Sequence, residues 1–128
     1  MVKNINPLNL NLEKLAETPY GWPLRQMNIP KAHQVTKGSK SVVVAVIDLG
    51  YRFHPQHKGH LWENPDPEKG DVHGWDFVDD DDTLEYSGSM PESPYLKNHH
   101  SFIVGEVISV APLCPVMVLR VGYERQES

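Results

Sequence analysis

An α/β fold, with a parallel sheet and helices on its faces, is what this sequence predicts, and three observations predict it. Residues 42–47 read Val-Val-Val-Ala-Val-Ile, a run rich in β-branched side chains, which fits a strand buried on both faces. Residues 99–111 are mostly apolar, and Ile103, Val107 and Val110 recur at helical spacing, as do Val104 and Ile108. Pro115-Val-Met-Val-Leu-Arg-Val121 then reads as a second buried strand. The order strand, helix, strand implies parallel pairing with right-handed crossovers.

The remaining elements follow from local chemistry. Residues 1–20 form an N-terminal arm, in which Leu8, Leu12 and Leu15 are spaced like one face of a short helix. Asn6 is placed to cap that helix, with Pro7 at its first position. Residues 21–128 form the main unit. Pro30 opens a short helix over 31–35, and Gly38 ends it. Lys37 and Lys40 flank that turn and are expected to face water. Residues 51–73 are a long irregular connection. Gly74-Trp75-Asp76-Phe77-Val78 is a short strand with Trp75 and Phe77 turned toward the core. Asp79 to Asp82 form an acidic run, and residues 83–98 are loop-like. Asn98 is a good N-cap for the helix at 99–111. Gly105 inside that helix costs about 1 kcal/mol relative to alanine, which a close helix–sheet contact would justify. Pro112 stops the helix.

Composition narrows the function. The chain has 128 residues, with 12 Lys+Arg against 17 Asp+Glu, a net charge of −5. The acidic balance argues against nucleic acid as a partner, because phosphate binding needs a basic patch. With proline left out of the apolar set, its longest apolar run is six residues, Val42 to Ile47, whereas a membrane span needs about 20. The opening residues lack the apolar stretch of a secretory signal, and the compartment stays open. The single Cys114 forms no internal disulfide and reads as a small buried or loop residue.

Asp48 follows the first strand directly. A carboxylate at the carboxyl end of a buried parallel strand lies where open α/β sheets carry their sites. From here the motifs run in a recognisable order. Val44-Ala-Val-Ile-Asp48-Leu-Gly50 is followed by His54-Pro55 and Leu61-Trp-Glu-Asn-Pro65. Then come Gly74-Trp-Asp-Phe-Val78, His99-His-Ser-Phe-Ile-Val-Gly105, and Val110-Ala-Pro112 with Val116-Met-Val-Leu-Arg-Val121. This set resembles the N-terminal part of the catalytic domain of the subtilisin-like serine proteases, over about residues 19–121. The resemblance implies a partial subtilisin-like fold and serine endopeptidase chemistry, the hydrolysis of peptide bonds through an acyl-enzyme. It implies Asp48 as the residue that orients the base and His99 as the base, in the order Asp, His, Ser.

Three positions depart from the family pattern. Leu49 stands for a small hydroxyl residue, His100 for a glycine and Phe102 for a second histidine. His100 is expected to be an exposed neighbour of the base. No Gly-Thr-Ser-Met-Ala nucleophile segment follows Val121, and a complete domain of this kind is roughly twice this long. Gly88-Ser89-Met90 echoes that motif, but it precedes His99 and runs into Pro91, which a following helix interior would not tolerate. The chain alone is therefore expected not to hydrolyse peptides by this route. A protein or peptide is the substrate implied for a completed site.

Two other readings stand beside this one. The first is a non-enzymatic remnant or binding module that pairs with a complementing polypeptide, because half a core and an open sheet edge would otherwise be exposed. The second is a metal-binding domain built on His54, His57 and His60. Structural zinc sites take four ligands, often thiolates, and Cys114 is distant, so no metal is expected there. Calcium is the only cofactor in view, through Asp79–Asp82, since many subtilisin-like proteases bind it. That run lacks the glycine and closing glutamate of an EF-hand loop and is expected to be a hydrated acidic loop.

Overall fold

The computed structural model describes residues 12–67, 70–85 and 94–122. The proposed cap at Asn6 with Pro7, and the Gly88-Ser89-Met90 segment, lie outside them. Three parallel strands, β1 (Val44–Asp48), β2 (Gly74–Asp76) and β3 (Val116–Arg120), form a sheet in the order β1-β3-β2. The chain is thus of mixed α/β class. Pairing is in register at the carboxyl ends: Asp48 lies opposite Arg120, and Asp76 lies opposite Arg120 on the other side. One cation therefore sits between two carboxylate positions along one edge of the sheet.

β3 is the central strand, and Val116 and Val118 are fully buried. Helix α4 (Pro94–Val110) packs on β1 and β3. His100, Val104 and Ile108, spaced four apart, form its buried stripe. Val104 and Ile108 meet Val46, Leu61, Val116 and Val118 in the core, each contributing roughly 2 kcal/mol through apolar burial. The helix ends at Val110, where the His33 ring Nε2–H donates to the Val110 carbonyl at 2.8 Å. A donor there satisfies one of the carbonyls that a helix C-terminus leaves open.

The N-terminal layer is built from three short helices, α1 (Leu12–Glu17), α2 (Trp22–Gln26) and α3 (Ile29–Ala32). Arg25 closes the end of α1 by donating to the carbonyls of Ala16 and Thr18. α3 has Pro30 in its first turn, and backbone hydrogen bonds from Gln34, Val35 and Thr36 carry the coil about one turn further, to Thr36. Lys37 and Lys40 are exposed, as their place in the turn predicts.

Four expectations need correction. β1 begins at Val44 and is covered on one face only. Val46 is buried, whereas Ala45 is exposed and Ile47 is 64% exposed. A β-branched run reports strand propensity, and cover on both faces depends on what the rest of the chain brings. β2 ends at Asp76, with Gly74 and Asp76 inward and Phe77 exposed, so the aromatic pair is not core. Gly74 decides this facing: a Cβ there would collide with the Val118 carbonyl, and its φ of +150° suits glycine. α4 starts at Pro94 rather than after Asn98, because proline fits the first helical turn. Gly105 lies against the short 3₁₀ turn Pro55–His57, not against the sheet. A Cβ there would meet the His57 Nε2 at 3.4 Å. Among the described residues no helix is long and apolar enough to cross a membrane.

Candidate active site

β1 delivers Asp48 to the carboxyl edge of the sheet, and the second turn of α4 delivers His99 beside it. The His99 Nδ1 and the Asp48 Oδ2 are 2.6 Å apart. The other Asp48 oxygen accepts from the Leu49 backbone N–H at 2.7 Å. Both carboxylate oxygens are thereby directed, and the carboxylate fixes the imidazole with its Nδ1 proton toward Asp48. His99 remains one-third exposed, and Asp48 is more enclosed at 12%. His99 lines a groove of about 1250 Å³ between α4 and the N-terminal layer, together with Arg52, Phe53, Phe102 and Met27. The sequence placed these two residues 51 positions apart, and the fold brings them into contact.

The loop that follows Asp48 is tied down from two sides. On one side Arg120 donates through Nε to the Leu49 carbonyl at 3.2 Å. Its Nη1 reaches Asp76 and, at 2.8 Å, Asp79. Burial works against the Arg120 charge, but Asp79 and Asp76 outweigh it and hold the guanidinium pKa above its usual value. Asp76 is fully buried and also accepts from the N–H groups of Val78 and Asp79. Sequence reasoning gave no role to Arg120 or Asp76. The signal was present as a lone arginine inside an apolar strand, which needs a buried partner.

On the other side the loop meets α4. The Arg52 N–H donates to the Ser101 Oγ at 2.9 Å, and that hydroxyl donates back to the Arg52 carbonyl at 2.6 Å. Ser101 is thus committed to holding the loop, although it lies only two residues from His99. Tyr51 is buried, and its hydroxyl and the His57 Nδ1 are 2.9 Å apart. Burial raises the Tyr51 pKa to about 12. Burial, followed by the charges of His54 and His60, lowers the His57 pKa to about 4.

His100 is not the exposed neighbour of His99 that the sequence predicts. It is 1% exposed, and among the described residues neither ring nitrogen makes a hydrogen bond of normal geometry. It points inward because it heads the stripe that continues as Val104 and Ile108. Burial lowers its pKa, and the opposing pull of Asp48 and of the Val46 backbone does not offset this.

The other candidates go separate ways. His54 accepts from the Gln56 N–H at 3.3 Å, His57 pairs with Tyr51, and the His60 Nδ1 lies 3.1 Å from the Pro112 carbonyl. A 3₁₀ turn and the bend after it give the three rings separate hydrogen-bond partners, although the His54 and His57 rings stay 5.3 Å apart. Among the described residues no group of three or more His, Cys, Asp and Glu is arranged to hold a metal ion. The acidic run is used internally. Asp79 pairs with Arg120, Asp80 accepts from the Trp75 indole at 3.2 Å, and Asp81 accepts from the Thr83 N–H at 2.8 Å. Cys114 is buried and accepts from the Ser39 N–H. Comparison with protein-family models, with curated proteins and with solved structures returns no match.

Proposed function

We propose that this chain is an N-terminal part of a subtilisin-like serine endopeptidase domain, with Asp48 orienting His99 as general base. The observation that carries this reading is the 2.6 Å contact between the His99 Nδ1 and the Asp48 carboxylate. A carboxylate at that nitrogen fixes the tautomer that leaves Nε2 to take a proton, and it stabilises the imidazolium that results. In the full reaction a serine hydroxyl would attack the scissile carbonyl and pass its proton to His99. His99 would then protonate the leaving amine, and water would release the acyl group by the same route in reverse. The motif that would carry that serine is not among these 128 residues, and Ser101 is engaged with Arg52.

Two measurements test the reading. Reading the coding DNA past Ser128 in all three frames should reveal a Gly-Thr-Ser-Met-Ala-like segment, and finding none would count against it. The chain by itself should take no label from a fluorophosphonate, and labelling at any serine would overturn the assignment of the nucleophile.

A second reading is a non-enzymatic module completed by another polypeptide. The open face of β1 favours it: Ile47 is 64% exposed, and Val42 and Val43 just before it are 53% and 40% exposed. Sedimentation of the chain at micromolar concentration checks it. A clean monomer with cooperative unfolding would show that no complementing chain is needed.

A further inference from the structure

We propose that the buried histidine cluster around Tyr51 is an acid-opened latch that holds the loop of residues 51–60 onto helix α4. The inference does not depend on the proposed peptidase reading. The Tyr51 ring touches two imidazoles, 5.8 Å from His57 and 5.9 Å, edge-on, from His100, and the His54 ring lies 5.3 Å from His57, tilted by 48°. Two of these imidazoles, His57 and His100, are almost wholly enclosed. Three elements meet here: the loop after β1, the 3₁₀ turn at Pro55–His57 and α4.

Burial favours the neutral forms of His57 and His100. A neutral His57 that accepts the Tyr51 hydroxyl proton at Nδ1 carries its own proton on Nε2, beside Gly105 of α4. Protonating His57 puts a second N–H at Nδ1, so the Tyr51 hydroxyl can no longer donate there. It also puts a cation next to His54 and His60. Protonating His100 places a charge in an almost wholly enclosed site, where the Val46 backbone and Asp48 do not offset the loss of hydration.

The charged and titratable groups around the cluster give little relief. The loop contributes Tyr51, Arg52, His54 and His60. α4 contributes His99 and, along the same groove, Glu106. β1 contributes Asp48, which favours a charged His100 but is already bound to His99. Opening exposes the imidazoles to water, where their ordinary pKa near 6.5 applies. With His57 at about 4 when closed, the open form gains on the order of a hundredfold in population by pH 4 from that residue alone.

Hydrogen exchange of the full chain, corrected for the intrinsic effect of pH, tests this. Between pH 7.5 and pH 4.5 the amides of residues 51–60 should lose protection at least tenfold more than those of β3. In the double variant His57→Gln with His100→Leu that difference should vanish. Equal loss in the loop and in β3 would mean global acid unfolding and would overturn the latch, as would an unchanged difference in the double variant. Should the variant fail to fold, NMR titration of the wild-type rings decides. His57 and His100 should lose their contacts to Tyr51 as they protonate, and titration with those contacts intact would overturn the proposal.

Discussion

Two buried polar clusters flank the loop after Asp48, and they solve the same problem in opposite ways. Arg120, Asp76 and Asp79 are charged, and the two enclosed members are fully engaged. In Tyr51, His57 and His100 burial favours the neutral forms, and among the described residues the His100 ring makes no hydrogen bond of normal geometry. The first cluster joins β2, β3 and the end of β1 within the sheet. The second joins the loop to α4. Equal burial therefore gives a rigid tie on the sheet side and a titratable tie on the helix side. A buried charge survives when geometry surrounds it with partners, and an imidazole survives burial by staying neutral.

The largest expected effect breaks the first cluster. Asp76→Ala removes the fully buried partner of Arg120 and frees two backbone N–H groups, and it should cost about 3 kcal/mol in urea denaturation. A loss under about 1 kcal/mol would show that Asp79 alone satisfies the guanidinium.

The next effect sharpens the contrast through pH. His57 has a native pKa of about 4, below its unfolded value near 6.5, and His100 is shifted in the same direction, so between about 6.5 and about 4 the unfolded chain binds a proton at His57 that the folded chain does not. Stability from these residues is intact above that window and falls as pH drops through it. The shift of His57 alone corresponds to roughly 3 kcal/mol. Melting temperatures in matched buffers from pH 7.5 to 4 should decline accordingly, and the decline should be smaller in His57→Gln.

A smaller effect has the opposite sign. His100→Leu replaces an unsatisfied buried imidazole by an apolar side chain that suits the Val104–Ile108 stripe. It should raise stability by about 1 kcal/mol at neutral pH, read as a higher melting temperature. The smallest concerns Gly105→Ala. Its methyl would just touch the His57 Nε2 at 3.4 Å, and the helix-propensity gain of about 1 kcal/mol should be largely retained. A clear destabilisation in calorimetry would show that His57 cannot give way and that its seat against α4 is rigid.

Much of this architecture is legible in the order of residues. The β-branched run before Asp48, the helical spacing from Ile103 to Val110 and the Val116–Arg120 strand all form as their local chemistry dictates. Asp48 and His99 were candidates from strand position and motif order, and they meet at 2.6 Å. Facing was less legible. Phe77 and His100 were each assigned to the wrong side, because a three-residue strand carries too little alternation and a polar residue on a helix reads as solvent-facing. For Asp76 and Arg120, neither position alone announces a buried pair.

By itself, then, the sequence determined the main strands, the long helix and their parallel order, because these rest on backbone propensity and apolar periodicity, whereas the pairing of Asp48 with His99 was only what the family resemblance implies, and the fold brings the two side chains together. Only the tertiary structure decided which polar groups share the interior. Gly74 lets β2 approach β3 and turns Asp76 inward onto Arg120, while the buried stripe of α4 carries His100 inward against Tyr51. Those partners are separated by tens of residues, and their energies depend on distance and on exclusion of water, which exist only once the chain has folded.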